Sequence, residues 1–424
     1  MEKFRAFLKK YYLNEILLLF TVSFFMLLIF YGKSESFLVD VGREAYIPWQ
    51  MLNGEVLYKD IFNVYGPLSY QINSLMYMLF GIKLSTLYIA GYLNAFLILV
   101  LTFFVTKIFT DRKFALYTSF LVMGSCLFIK TFFNFVFPYS YAAVYALSGY
   151  LLSVLLFLFY LKHGHKKFLY SAFICAGFCF ANKIEYVPYF MLLFLSLFFV
   201  KPKIKDIFVC IGGFFIFPAA SFFILLLQGA SFSDFLNAFL LVKNMVNTPA
   251  LAYFYKDYGL YWNGENFVTS MKVLGCSVLT LIPVFLLFAG LNYLDVKFLR
   301  NKLTKTIFNF AMIVFCFFIS VQFFKYFFLL DNKFFCWLGI VSLFILAGFC
   351  CYTGFEFYKK RQINKQDILF LFLLLSAVSV SLKGISGITT ECYGTFTIAA
   401  LIIPFIAFAV KYLPGILKFR NKKI

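Results

Sequence analysis

Continuous apolar runs, rather than alternating apolar and polar positions, dominate this chain. Many runs reach the ~20 residues that a helix needs to cross ~30 Å of hydrocarbon. Only helices and closed barrels satisfy their backbone in lipid, and the alternation typical of barrel strands is absent. The pattern predicts that residues 1–424 form one all-α, polytopic transmembrane helical bundle of about twelve spans. The predicted spans are 13–32, 84–109, 114–133, 138–161, 168–182, 186–200, 207–228, 267–291, 307–328, 334–354, 368–382 and 396–412.

Two longer polar segments interrupt the predicted spans on one side of the membrane. The first covers residues 33–83, and its moderately apolar stretch 68–80 predicts a helix lying along the membrane surface. The second covers residues 229–266. Residues 168–200 would make a single helix of about 50 Å, which is too long for a span. We therefore predict two short helices there, separated by a turn at 182–185.

Composition agrees with a chain that has lipid as its main solvent. The sequence is 63% apolar and 13% charged, whereas soluble domains are near half apolar and a quarter charged. Nine of the ten cysteines lie in or beside apolar runs, where they are typical of small buried residues. Only two histidines occur, so we predict neither a metal site nor a cofactor, and we leave a requirement for a divalent metal open.

The net charge of +20 comes from short basic clusters between the apolar runs. Predicted inner segments hold 26 of the 38 Lys and Arg residues but only 7 of the 18 acidic residues. This bias predicts a multi-pass protein of the inner (plasma) membrane with both termini in the cytoplasm and segment 33–83 on the outer face. No basic face is interleaved with aromatic residues, so membrane lipid is an expected partner and nucleic acid is not.

Segment 33–83 has the highest density of residues suited to chemistry. Asp40, Arg43 and Glu44 fall within five positions just after the first span, and on a helix Asp40 would share a face with either of the others. A carboxylate there is a candidate general base, and an arginine is a candidate phosphate ligand.

Further along segment 33–83 we identify Trp49, Asp60 and Tyr65 as candidate substrate-binding residues. The other interpretation is a structured loop whose charges pair only with one another.

This segment resembles the first-loop signature of the GT-C class of membrane glycosyltransferases, which includes protein O-mannosyltransferases and aminoarabinose transferases. The elements that match in order and spacing are Asp40, Arg43, Met51-Leu52, Gly54 and Pro67-Leu68. The resemblance implies transfer of a sugar from a polyprenyl-phosphate donor, with Asp40 as the base or acceptor-orienting group. It also implies that Arg43 steadies Asp40 or binds phosphate. The aminoarabinose branch has a Lys before a double Pro where this chain has 64–67, so the resemblance does not extend to that branch's substrates.

Two other predicted outer turns carry candidate residues. Lys183 and Glu185 are similar to an element of the same class, in which the lysine contacts phosphate; otherwise they form an ion pair that ends the helical hairpin. The late turn resembles that class as well, with Lys383 meeting the donor phosphate and Tyr393 a sugar or lipid head group. The alternative for Lys383 is interfacial anchoring of its long side chain.

The sequence thus predicts a glycosyltransferase that moves a sugar from a polyprenyl-phosphate donor to a glycan, lipid or protein acceptor on the outer face. Asp40 is its predicted catalytic base, with Glu44 as a second catalytic carboxylate. The alternatives are a transporter or flippase of lipid-linked sugars and a polysaccharide polymerase or ligase. Broken helices in two related halves would indicate a transporter, and an arginine-rich late loop would indicate a ligase; the sequence has neither pattern.

Overall fold

The computed structural model describes residues 12–33, 40–63, 65–128, 134–246, 290, 304, 306–314, 333–382 and 396–416. These residues are mainly helical, and the β pairing found among them is one isolated bridge between Leu57 and Ile61. The predicted all-α architecture is confirmed.

The first half of the chain contains segment 33–83, which carries most of the candidate residues. Its helices are α1 (Leu13–Phe30), α2 (Asp40–Leu52), α3 (Leu68–Phe80), α4 (Leu84–Phe109), α5 (Arg112–Val122) and α6 (Tyr141–His163). A π-helical turn, Met123–Leu127, extends α5. The structure therefore places two helices, α2 and α3, within the predicted outer segment.

The second half supplies the remaining described helices. They are α7 (Lys166–Asn182), α8 (Val187–Val200), α9 (Ile204–Leu227), α10 (Phe232–Val246), α11 (Lys333–Lys360), α12 (Lys365–Val380) and α13 (Ile398–Ala407). A 3-10 turn, Ile184–Tyr186, separates α7 from α8, as predicted. Beyond α13 the chain continues through a π-helical turn, Phe408–Tyr412, into Leu413–Ile416.

Four helices in the described ranges, α1, α4, α6 and α9, are long and apolar enough to cross a membrane. The segments Ile184–Val200, Phe232–Leu241 and Ile398–Tyr412 are apolar but shorter. The chain is a multi-pass membrane protein, and the number twelve stays a prediction. The predicted span 267–291, except residue 290, and most of 307–328 lie outside the described residues.

Small residues bring the central helices into backbone contact. A Cβ atom added at Gly177 of α7 would lie 1.9 Å from the carbonyl oxygen of Phe214 in α9. A Cβ at Gly149 of α6 would meet the side chains of Phe178 and Cys179. Glycine is therefore needed where α7 packs against its neighbours, and α6 is buried along most of its length.

Polar contacts are grouped at two ends of the helical bundle, which we call the basic end and the loop end. At the basic end, Lys166 pairs with Asp206 at 2.6 Å, and Arg112 pairs with Glu15. The loop end contains 40–80, 134–140, 183–186 and 396–397, which contact one another as described below. Where the structure describes them, the predicted inner segments lie at the first end and the predicted outer segments at the second, which is consistent with the predicted alternation of sides.

Candidate functional site

Helix α2 starts the site at Asp40. Its backbone places Asp40 one helical turn before Arg43 and Glu44, although the side chain of Asp40 is outside the described part of the structure. The helix continues through Pro48 and ends at Leu52. Gly54, with φ of +98°, then turns the chain in the left-handed region, at the position where an Asn-Gly pair predicts a turn.

Glu44 is fully buried and joins three helices. One carboxylate oxygen accepts hydrogen bonds from the Tyr70 hydroxyl at 3.0 Å and from Arg43 at 3.3 Å. The other accepts the backbone N–H of Tyr141, at the start of α6, at 3.0 Å. Burial raises the pKa of Glu44, and the nearby Arg43 and the hydrogen bonds only partly oppose that rise. These bonds give Glu44 a role in holding α2 against α3 and α6; its catalytic role stays a prediction.

Arg43 points from α2 toward two aromatic residues of other segments. Its Nη2 donates a hydrogen bond of 3.0 Å to the carbonyl oxygen of Tyr139. Its guanidinium carbon lies over the Tyr65 ring, 5.0 Å from the centroid. The side chain keeps 27% of its surface exposed.

Lys183 contacts the same Tyr65 ring from a segment far along the chain, directly after α7. It follows the last residue of α7, its backbone N–H closes that helix on Cys179, and its side chain is only 6% exposed. The ammonium lies 3.3 Å from a carboxylate oxygen of Glu185 and 5.0 Å from the centroid of the Tyr65 ring. A buried ammonium is costly unless it is compensated, and here a carboxylate and a ring compensate it.

The connection between α2 and α3 fixes the backbone of Tyr65. Its carbonyl oxygen accepts hydrogen bonds from the Tyr58 hydroxyl at 2.5 Å and from Asn63 Nδ2 at 2.6 Å. The next residue, Gly66, donates its N–H to the carbonyl oxygen of Asn182 at 3.0 Å. This last bond docks the connection onto the end of α7, directly before Lys183.

Five residues close a circuit of contacts at the loop end, which we call the cation–aromatic circuit; Arg43 joins Tyr139 at its backbone carbonyl, and the other links are between side chains. Its members, in order of contact, are Arg43, Tyr65, Lys183, Phe396 and Tyr139. The Lys183 ammonium lies 6.0 Å from the Phe396 ring centroid, and the Phe396 and Tyr139 centroids are 5.3 Å apart. Both cations lie 5.0 Å from one centroid, so they are at most about 10 Å apart. Two cations this close attract an anion more strongly than either would alone.

Four further predicted site residues, Asp60, Trp49, Lys383 and Tyr393, are not among the members of this circuit. The Asp60 carboxylate accepts the backbone N–H of Val56 at 2.8 Å and so closes its own turn. The exposed Trp49 packs edge-on against Tyr46 on α2. Lys383 and Tyr393 lie outside the described residues. Within the described ranges, no group of three or more His, Cys, Asp or Glu residues is arranged to hold a metal.

Sequence reasoning missed the residues that complete the site from distant segments. Tyr139 and Phe396 close the circuit, and Tyr70 and Tyr141 hold Glu44. No motif marks them, because each is one of many aromatic residues in an apolar chain with 29 Tyr and 65 Phe. Their positions become evident only when the helices are assembled.

No protein-family model matches this sequence, and no curated protein matches it. Among solved structures, the Archaeoglobus fulgidus oligosaccharyltransferase in complex with Zn and sulfate is similar to this chain with a TM-score of 0.50 and 12% identity. That alignment covers 96% of this chain and 50% of the other. ArnT from Cupriavidus metallidurans, bound to undecaprenyl phosphate, aligns with a TM-score of 0.45 and 10% identity, over 94% of this chain and 78% of that one.

The archaeal oligosaccharyltransferase is a GT-C glycosyltransferase, and its likeness to this chain shows a shared membrane helical fold. This chain spans about half the length of the archaeal oligosaccharyltransferase that it matches. The expected resemblance to the GT-C class is therefore confirmed at the level of the fold.

Proposed function

We propose that this chain is a membrane glycosyltransferase that moves a sugar from a polyprenyl-phosphate donor to an acceptor hydroxyl. The observation that carries the proposal is the convergence of Arg43 and Lys183 on one aromatic ring at the loop end. The GT-C fold supports it, because the archaeal protein that shares this fold also transfers sugars, as its name states.

The two cations suit the phosphate of a lipid-linked donor. Arginine offers a planar fork of donors to an oxyanion, and lysine supplies a compact charge. Each cation lies 3.3 Å from a carboxylate oxygen, of Glu44 or of Glu185, which partly balances its charge when no ligand is bound. In our proposal the donor phosphate binds between Arg43 and Lys183, with Lys383 as a further phosphate ligand.

Asp40 is the proposed general base of the transfer. The acceptor oxygen attacks the anomeric carbon while the bond from that carbon to the phosphate oxygen breaks. The hydroxyl proton passes to Asp40, and polyprenyl phosphate leaves with its negative charge held by Arg43 and Lys183. Direct displacement inverts the anomeric centre and needs no covalent enzyme intermediate.

We further propose that the loop end faces the outside of the inner membrane and that both termini are cytoplasmic. The basic clusters near Lys166 and Lys203 lie at the opposite end, as expected for cytoplasmic segments. The candidates for contacts with the acceptor or the sugar are still Trp49, Asp60, Glu185 and Tyr393. The acceptor in this proposal is a glycan, a lipid or a protein, and the sugar is a hexose or a pentose.

Binding of undecaprenyl phosphate to the purified full-length chain in detergent tests the phosphate site. Lys183→Met should weaken binding tenfold to a hundredfold, the amount expected when a charge-assisted hydrogen bond of about 1.5–3 kcal/mol is lost. Lys167→Met is the matched control, since Lys167 is exposed at the other end of the same helix, about 24 Å away. Equal affinity in the two variants would refute the phosphate site.

Transfer from a radiolabelled polyprenyl-phosphate sugar tests the chemistry. Asp40→Asn should abolish transfer to an added membrane acceptor fraction while undecaprenyl phosphate still binds. Full transfer by this variant at normal expression would remove Asp40 from the mechanism. A wild-type protein that carries the lipid-linked sugar across vesicles without forming a glycoside would instead support the transporter alternative.

A further inference from the structure

We infer that Tyr65 is a positioning residue whose ring holds Arg43 and Lys183 together as one anion-binding pair. This inference rests on the proposed function, because it explains how the phosphate site keeps its shape before the donor binds. It assigns the ring of Tyr65 to the two cations, whereas the sequence suggested contact with substrate.

The backbone that carries the ring is fixed at Tyr65 and at the next residue. Two side-chain donors, from Tyr58 and Asn63, converge on the Tyr65 carbonyl oxygen at 2.5 and 2.6 Å. The neighbouring Gly66 N–H is bound to the end of α7. Because these bonds are made by the connection and α7 themselves, the backbone that carries the ring is held without a ligand.

Each cation is attracted in two directions. Arg43 is drawn to Glu44 on one side and to the Tyr65 ring on the other, and both contacts are present. Lys183 is placed in the same way between Glu185 and Tyr65. The negative face of an aromatic ring attracts a cation within about 6 Å of its centroid. The ring therefore opposes the mutual repulsion of the two cations and holds each of them 5.0 Å from its centroid.

Removing the ring changes this balance. Without it, Arg43 and Lys183 would each settle onto its carboxylate, and their repulsion would move them farther apart. A phosphate would then have to pull both cations back before it bound, which lowers its affinity. The aromatic face does this work and the hydroxyl is not required, so phenylalanine should substitute for tyrosine.

Undecaprenyl phosphate binding to the full-length protein in detergent provides the test. We expect Tyr65→Leu to weaken binding about tenfold, and we expect Tyr65→Phe to restore affinity to within about threefold of wild type. Tyr65→Met, which is flexible and nearly as large as leucine but has no ring, should behave like Tyr65→Leu and guards against a packing defect specific to leucine. Melting temperatures of all three variants show whether the fold is retained.

The outcomes separate this inference from the proposed function. Loss of binding in Tyr65→Leu and Tyr65→Met with recovery in Tyr65→Phe supports the inference. Weaker binding in Lys183→Met and Arg43→Gln, together with wild-type affinity in Tyr65→Leu, overturns the role of Tyr65 and retains the phosphate site. Equal losses in Tyr65→Phe and Tyr65→Leu overturn it as well, because the hydroxyl would then be the required group. Wild-type affinity in Lys183→Met and Arg43→Gln refutes the phosphate site itself.

Discussion

Replacing Gly66 by alanine adds one methyl group between the connection that follows α2 and the end of α7. The added Cβ would lie 2.1 Å from the carbonyl oxygen of Ala181 and 2.8 Å from that of Asn182. Both are backbone atoms, so no side-chain rotation relieves the contact. One of the two segments must move by roughly 1 Å to restore an ordinary van der Waals distance.

The cost has two parts. Overpacking of this kind is worth about 1–3 kcal/mol. The hydrogen bond from Gly66 N–H to Asn182 is displaced by the same movement, which adds about 0.5–1.5 kcal/mol. We therefore expect Gly66→Ala to lose about 2–4 kcal/mol and to melt several degrees below wild type. Because Tyr65 moves with its neighbour, the affinity for undecaprenyl phosphate should also fall several-fold.

The measurements are a melting curve and an undecaprenyl phosphate titration on the same detergent-purified sample. Gly212→Ala is the control, since it places the same methyl group in a helix with nothing within 4 Å. That variant should bind like wild type and melt at the wild-type temperature or slightly above it, because alanine favours a helix interior more than glycine does. If Gly66→Ala melts and binds like Gly212→Ala, the connection is not docked on α7 in the way described, and the reasoning fails.

Two further predictions concern buried carboxylates. Burial raises the pKa of Glu44, so its contribution to stability is full below about pH 4.5 and is lost as the pH rises through the raised value. Glu44→Gln should reduce the fall in melting temperature as the pH rises above about 4.5. Parallel plots of melting temperature against pH for the variant and wild type would contradict this prediction. At the basic end, Asp206→Asn removes the charge that pairs with Lys166 at 2.6 Å. We expect a lower melting temperature than in Lys167→Met, and equal melting of these two variants would count against a structural role for the pair.

Local patterns in the sequence predicted the helices well. The stretch 68–80 was predicted to be helical from its apolar spacing, and α3 spans Leu68–Phe80. The basic flanks of 168–200 predicted a break, which the structure places between α7 and α8. These features depend on neighbouring residues and on hydropathy, and both can be read directly from a chain.

Other features required the assembled fold. Segment 229–266 was predicted only as a polar loop, yet it contains α10. Glu44 was predicted to be catalytic because it lies close to Asp40 in the sequence, but no local pattern indicates its burial against Tyr70 and Tyr141. Burial of a carboxylate depends on which distant segments pack over it, and a local pattern does not contain that information.

The cation–aromatic circuit has a consequence for the order of biosynthesis. Arg43 leaves the ribosome early, whereas Phe396 is synthesised some 350 residues later. Membrane helices are inserted progressively as the chain emerges, so the first outer segment must remain beside the growing bundle with its circuit incomplete. A nascent chain that stalls before Phe396 would carry both cations but would lack the aromatic ring beside Lys183. Completion of this circuit therefore requires that translation has reached the residues directly before α13.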